Sequence, residues 1–382
     1  MRSGIVCSGV SCLDLFLYGT TPLVTRESLA MVRETQYRPG GATSNTGRAL
    51  VRLGMPVDYM TVIGNDANGD ILLKLWDDDG IGTQYVVRTG EAGTALSTIP
   101  VYQDGKRGVY FCPGTNDIMG IDNLFGEHRE YLDVLRTKQA FHIGYPPLMR
   151  KLQGQALAEL LAAVRETGVM VSLDTTPIPD DTSCYQMLSA ALPMAHMFTP
   201  NIEEASQVAG QFTKLKARAE EMSKQTGVPT DIEGIITPDE LTGIGEFLLQ
   251  HGVPIVVITL GPNGAFICTG NADALRQVPL APTDLSGWAN QRIYVPAYLV
   301  NGPVNTTGAG DTFTAGMLTG ICKGIPSIRN IAQLAHAAGA LAVDLSRGAC
   351  TFEEVQQILP TMQTRPPSNP LLQEMSRRSV TA

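Results

Sequence analysis

No pair of cysteines in this chain is spaced as C-x-x-C. The seven cysteines (Cys7, Cys12, Cys112, Cys184, Cys268, Cys322 and Cys350) are odd in number and scattered. That pattern argues against a zinc site and a disulfide frame, and for reduced thiols in a cytosolic protein. No apolar run is long enough to span a bilayer. The amino terminus, Met1 to Cys7, enters a strand-like run without the apolar stretch of a signal peptide. Long basic runs are missing as well. With 28 Lys and Arg against 37 Asp and Glu, the formal charge is −9, which argues against nucleic acid or an anionic membrane as partner. The first strand lacks a G-x-G-x-x-G turn, which sets aside a dinucleotide oxidoreductase. Internal repeats and heptads are absent. What is present is a chain with 43% hydrophobic and 17% charged residues, enough for a sizeable core in one large α/β domain or two domains.

Taken in order, Ile5 to Val10 reads as a short apolar strand. Leu13 to Tyr18 alternates, with Leu13, Leu15 and Leu17 on one face and Asp14, Phe16 and Tyr18 on the other. Asp14 is a charge in an apolar stretch: either it faces solvent or it accepts hydrogen bonds from ligand hydroxyls. Gly40 and Gly41 open a helical run through Leu53, and paired glycines there allow close backbone approach; Asn45 offers both donor and acceptor. An ordinary strand–helix turn would look the same. Val57 to Ile63 is a strand, and Asp66 is a candidate cap for the helix Asp70 to Asp79. Thr94 to Tyr110 alternates and folds back at Asp104-Gly105, a hairpin.

From Gln139 the pattern becomes regular strand–helix alternation. Strands are expected at Ala140 to Ile143, Val169 to Asp174, Met197 to Pro200 and Ile255 to Leu260, with Gln153 to Glu166 helical. Ile255 to Leu260 is wholly apolar and so central, and Ala265 to Cys268 is its hairpin partner. This alternation implies a parallel sheet with helices on both faces and ligands beyond the carboxyl ends of its strands. Asp174, Asn201, Glu204, Thr259 and Gly261 fall at such ends. Lys214 to Asp231 is polar, with a short helix, and reads as an insertion. Thr283 to Gln291 reads as a surface loop, and Thr364 to Ala382 as a weakly ordered tail.

The most informative stretch is Asn305-Thr306-Thr307-Gly308-Ala309-Gly310-Asp311. It follows an extended run and precedes a helix with Phe313, Met317 and Ile321 on one face. A glycine-rich turn at a helix start leaves backbone N–H groups unpaired at the positive end of the dipole, which makes an anion site. A carboxylate there repels phosphate. Asp311 therefore either complements the helix dipole or takes a proton from a hydroxyl that attacks phosphorus.

These residues resemble the ribokinase-like, or PfkB, carbohydrate kinases. The resemblance runs from Gly9 to about Ala349. It is carried by Thr307-Gly308-Ala309-Gly310-Asp311, by Gly40-Gly41 with Asn45, by Gly64-x-Asp66-x-x-Gly69, by Asn201-x-x-Glu204, and by Thr259-x-Gly261-x-x-Gly264. Ala335 to Ala340, with Arg347-Gly348-Ala349, looks like the helix and loop that flank adenine. The resemblance implies a three-layer α/β/α sandwich over residues 1–363, with a mostly parallel central sheet and a small β lid from about 11–39 and 92–116. It implies ATP-dependent phosphorylation of an alcohol on a small sugar or sugar acid. Asp311 would be the base and Gly308, Ala309 and Gly310 the anion hole, with Asp14, Gly40, Gly41 and Asn45 holding the substrate. Nucleotide would meet Asn201, Glu204, Thr259, Gly261, Gly264, His336 and Gly339, with magnesium reached from Glu204 through water.

Three departures bear on this. Asn305 stands where many members carry an Asp that helps bind a monovalent cation, so potassium at Asn305 and Thr307 stays an open alternative. Gly144 and Cys12 stand where ribokinase itself has a sugar-binding Glu and an Asn, which weakens the case for ribose. His336 stands where Asn is frequent; it either meets the adenine or is a partly buried helix histidine. The remaining alternatives are a nucleoside kinase, a phosphosugar kinase using Arg33, Arg38 or Arg107, and a catalytically silent binder. A homodimer through the edge strands of the lid is expected from the hairpin.

Overall fold

Strands buried on both faces decide the layering: Ile5–Gly9, Ala140–Gly144 and Met170–Leu173 are buried at every position. In chain order the strands are β1 (Ile5–Gly9), β2 (Cys12–Thr20), β3 (Glu34–Gly40), β4 (Val57–Tyr59), β5 (Val62–Gly64), β6 (Val87–Thr89) and β7 (Leu96–Tyr102). They continue as β8 (Tyr110–Cys112), β9 (Ala140–Gly144), β10 (Met170–Leu173), β11 (Met197–Phe198), β12 (Ile255–Thr259), β13 (Ala265–Thr269) and β14 (Arg292–Val295). The computed structural model describes residues 2–21, 29–104, 106–126, 129–178, 181–302, 304, 306–344 and 350–375. Eight strands form the main sheet in the order β14-β13-β12-β11-β10-β9-β1-β4. Its pairings are parallel except those of β13, which runs antiparallel to β12 and β14.

Successive residues on these strands point to opposite faces. Val6, Phe141 and Val171 join one core with Leu157, Leu160, Ile244 and Leu248. Their neighbours Ile5, Ala140 and Met170 join another with Leu50, Trp76, Phe313, Leu318 and Ile331. Helices Gln155–Glu166 and Pro238–Gln250 thus cover one face, and Gly41–Arg52, Ala309–Cys322 and Ile328–Val343 the other. The result is a three-layer α/β/α sandwich. Each fully buried Leu, Ile or Phe contributes about 1.5–3 kcal/mol, and the two cores together exceed what a single-faced sheet could bury. Among the described residues no helix is long and apolar enough to cross a membrane.

A second sheet, ordered β3-β2-β7-β8, stands apart from the sandwich. Asp14 pairs with Arg38 and Cys12 with Gly40 across β2 and β3. Phe16 and Tyr18 stack on the Asp14 face, with ring centroids 5.8 Å apart. β7 and β8 are antiparallel, as the alternation from Thr94 predicts; Gly105 of their connection lies outside the described residues, as do Asn305 and Arg347-Gly348-Ala349. β3 runs directly into helix Gly41–Arg52, so this sheet meets the sandwich at Gly40-Gly41. Asp66 caps helix Ala67–Asp78 by accepting from the Gly69 N–H, and it also accepts from the Thr94 N–H and hydroxyl at the entry to β7.

Three readings need correction. Residues 212–226 form one helix of 15 residues rather than a short one, because Leu215 and Ala219 give it a buried face. The 283–291 stretch is irregular but buries Trp288 to 1% exposure. Residues 364–375 are not weakly ordered. Leu372 is fully buried, Arg365 donates its N–H to the Ala297 carbonyl at 2.6 Å, and Tyr298 and Thr364 form a bridge. The low periodicity of that stretch hid contacts made one residue at a time.

Candidate active site

The carboxyl ends of the parallel strands and the amino end of helix Ala309–Cys322 converge on Asp311. Gly308 is the N-cap, in the left-handed region at φ 75°, which glycine adopts without strain. Asp311 follows three residues later and is 4% exposed. Its carboxylate accepts from Asn45 Nδ2 at 3.1 Å, from the Thr46 hydroxyl at 3.3 Å, and from the Tyr145 hydroxyl at 3.2 Å to both oxygens. Burial pushes its pKa up to about 6, against these three donors, which favour the ionised form.

The turn is more committed than its glycines suggest. Ala309 donates its N–H to the Thr306 carbonyl at 3.2 Å. Gly310 keeps an open face: a Cβ built there meets nothing within 4 Å. The Thr307 hydroxyl accepts from Arg107 Nη1 at 2.5 Å, which ties the strand-connecting segment of the second sheet to the turn.

Asp14 packs directly on Gly40, where a Cβ would fall 2.3 Å from its carboxylate. Burial raises the Asp14 pKa, while hydrogen bonds from Cys12 and Ser97 and the charges of Arg107 and Arg38 pull it down. The Cys12 thiol donates to Asp14 Oδ1 at 3.2 Å. Gly41, at φ 80°, lies over the Val10 carbonyl, 2.3 Å from where a Cβ would stand. Asp14 and Gly40 thus meet at the start of the helix that carries Asn45, which donates to Asp311.

On the other side, Asn201 and Glu204 form a reciprocal capping box for helix Ile202–Val208. The Asn201 N–H donates to Glu204 Oε2 at 2.8 Å, and the Glu204 N–H to Asn201 Oδ1 at 2.9 Å. This spacing is therefore a helix start as well as a site motif. Thr259 bridges Asn201 and donates its N–H to Pro200. Gly261 (φ 51°) and Gly264 (φ 111°) bound the turn after β12, and a Cβ at Gly264 would lie 2.3 Å from the Val295 carbonyl. The Glu204 pKa is raised to about 8, first by burial and then by Asp311 and Glu203, with a backbone hydrogen bond opposing. Asp174 is also pushed up, by burial and by the charges of Glu204 and Asp311. His336 lies under the site, 8% exposed, with its ring edge-on to Phe313 at 4.7 Å; burial holds its pKa down to about 3. Gly339 faces the turn, since a Cβ there would lie 3.9 Å from the Ala309 carbonyl.

Tyr145 and Thr46 are site residues that sequence reasoning did not single out, and Asp174 is one it placed only at a strand end. Tyr145 directly follows β9 and takes φ 62°, an uncommon conformation for an aromatic residue that turns its phenol onto Asp311. The available signal was its position at the carboxyl end of a parallel strand.

A mostly parallel sandwich with a separate small sheet and one buried carboxylate at a glycine-opened helix defines a ribokinase-like kinase. The chain matches the pfkB family carbohydrate kinases over residues 4–354 and belongs to that family. It is an ATP-dependent carbohydrate kinase. It is 23% identical over 362 residues to the ribokinase of Staphylococcus aureus, covering 94% of this chain and 100% of that one. It is 22% identical over 342 residues to the bifunctional ribokinase/ribose-5-phosphate isomerase A of Fructilactobacillus sanfranciscensis, covering 90% of this chain and 53% of that protein, so it spans about half of that relative. The structure of Arabidopsis thaliana ribokinase complexed with ribose and ATP superposes with a TM-score of 0.67 at 21% identity, covering 94% of this chain and 99% of that one.

Proposed function

We propose that the protein transfers the γ-phosphoryl group of ATP to a primary hydroxyl of a small sugar or sugar acid, with Asp311 as the base. The observation that carries this is the setting of Asp311: buried, held by three donors, and placed where a helix dipole and the Gly310 face meet. Its carboxylate, ionised above pH about 6, accepts the proton of the attacking hydroxyl. The Gly308 and Gly310 N–H groups stabilise charge on the transferring group. Ala309 contributes through the fold of the turn, because its own N–H is bonded to Thr306. Asp14, with Gly40, Gly41 and Asn45, orients the acceptor, and the second sheet acts as the lid that excludes water.

The residues also fit a magnesium ion. Burial and the charge of Asp311 raise the pKa values of both Asp174 and Glu204, and a divalent cation relieves that repulsion. Among the described residues no three carboxylate, His or Cys groups converge to hold a metal directly; Glu204 and Asp174 would reach the ion through water. When bound, it neutralises charge on the phosphate oxygens.

A second reading, a phosphosugar acceptor, is favoured by the charges of Arg38 and Arg107 beside Asp14. Dimerisation through the lid edges β3 and β8 is a further proposal; Tyr37 and Tyr110 lie exposed there, and light scattering of the purified protein tests it. The function is tested by ATP-dependent ADP release over a panel of sugars, sugar acids, nucleosides and phosphosugars, with and without potassium. Release with none of them refutes the proposal. Equal ATP hydrolysis with and without acceptor refutes the closing role of the lid.

A further inference from the structure

The family match ends at residue 354, yet the chain after it is built into the nucleotide side of the site. Asn263, in the turn that carries Gly261 and Gly264, is 2% exposed. Its Oδ1 accepts from the Ser368 N–H at 2.7 Å, the Ser368 hydroxyl at 2.8 Å and the Asn369 N–H at 3.4 Å. Asn369 is 1% exposed, and its Nδ2 donates to the Glu233 carbonyl at 3.0 Å and the Ile236 carbonyl at 2.9 Å. The short helix Ile232–Ile235 is pressed in turn against the same turn, because a Cβ at Gly261 would lie 2.8 Å from the Glu233 carboxylate. One buried asparagine pair therefore locks together the turn after β12, the helical 212–235 region and the carboxyl-terminal segment. Buried amides satisfied on both sides hold a single geometry, since breaking any one bond strands a polar group out of water.

A second, independent observation lies upstream in the same segment. Thr361, Met362 and Gln363 wall a cavity of about 540 Å³ whose other sides include Gly302, Ala340 and Asp344. Leu299 donates its N–H to the Gln363 carbonyl at 2.8 Å and so closes that wall. Ala340 adjoins Gly339, which faces the Ala309 carbonyl of the catalytic turn. The Ala340 wall of the cavity is thus one residue along the helix from the contact with the turn, and the cavity volume is in the range of small-molecule sites.

We propose that residues 358–372 form a strap that belongs to the nucleotide site, with Ser368 and Asn369 positioning the 261–264 turn and 361–363 walling the space for the purine base of ATP. This rests on reading the 259–264 turn as the nucleotide loop. Among the described residues the hydrogen bonds that leave the strap go to Asn263, Glu233, Ile236, Ala297 and Leu299, so its residues act on nucleotide affinity and leave the acceptor pocket alone.

The test uses the full chain. Ser368→Ala with Asn369→Ala raises the dissociation constant of MgATP about tenfold by titration calorimetry, measured well below the thermal midpoint. Met362→Trp, which narrows the cavity and keeps the Asn263 bonds, weakens MgATP binding with an unaltered midpoint. Photolabelling of the unaltered protein with 2-azido-ATP marks peptides containing 299–302, 340–344 or 358–363. A lowered midpoint with unchanged MgATP affinity in both variants overturns the proposal and leaves the strap purely structural. Label confined to 259–264 overturns the base cavity while keeping the nucleotide loop. Label at neither overturns the loop reading itself.

Discussion

Replacing Tyr145 with Phe isolates one of the three donors on the base. The phenol lies 3.2 Å from each oxygen of Asp311, so the substitution removes a hydrogen bond to the ionised form and leaves the ring in place. Losing a donor to the charged form raises a carboxyl pKa. A hydrogen bond to a charged group is worth about 1.5–3 kcal/mol. Here the bond is long, and Asn45 and Thr46 share the load, so the low end applies, about one pKa unit. The acid limb of kcat/KM then moves from about 6 to roughly 7. Because the ionised fraction carries the activity, the variant is about threefold slower than wild type at pH 6.5 and equal to it near pH 8.5. The assay is ADP release at limiting acceptor across pH 5.5–9. An acid limb that stays put or moves downward refutes the claim that Tyr145 donates to the base.

Asp311→Asn should lower turnover by about 10²–10⁴ with MgATP affinity retained, and near-normal turnover removes Asp311 from the base role. The same variant carries a stability signature. The folded pKa of about 6 lies above the ordinary aspartate value of 3.8, so stability supplied by the neutral acid is fully present below pH 3.8 and is lost as pH rises through 6. The thermal midpoint of the Asn variant should therefore gain on wild type across that window, and a constant difference refutes the burial argument. Gly310→Ala should keep the thermal midpoint, since its Cβ meets no protein atom within 4 Å, while cutting turnover at least about tenfold by crowding the phosphoryl group; full activity shows that the phosphate does not approach there. Gly40→Ala should weaken acceptor binding with little change for MgATP, because its Cβ would stand 2.3 Å from the Asp14 carboxylate; equal losses for both ligands contradict a sugar-side role.

Much of the candidate site was legible because its residue pattern is local. A glycine turn, a helix start and an Asp three residues on are written within seven residues, and the alternation of apolar strands with helices dictates a parallel sheet whose carboxyl ends share one edge. The Asn201 and Glu204 spacing reads as a candidate site motif and equally as a capping box, and the structure shows the box. His336 illustrates the limit. Helical period places it on a face, but only the packing of Ile328–Val343 on Ala309–Cys322 shows that face turned to Phe313.

The sequence by itself determined the sandwich, the glycine turn that opens a helix and the identity of the candidate base, because backbone conformation and hydrophobic period act over a few residues. Tertiary structure alone decided what surrounds that base. Asn45 reaches Asp311 across 266 residues and Tyr145 across 166, and Ser368 reaches Asn263 across 105. Such contacts depend on the order in which crossovers bring strands side by side, and no short window of sequence records that order.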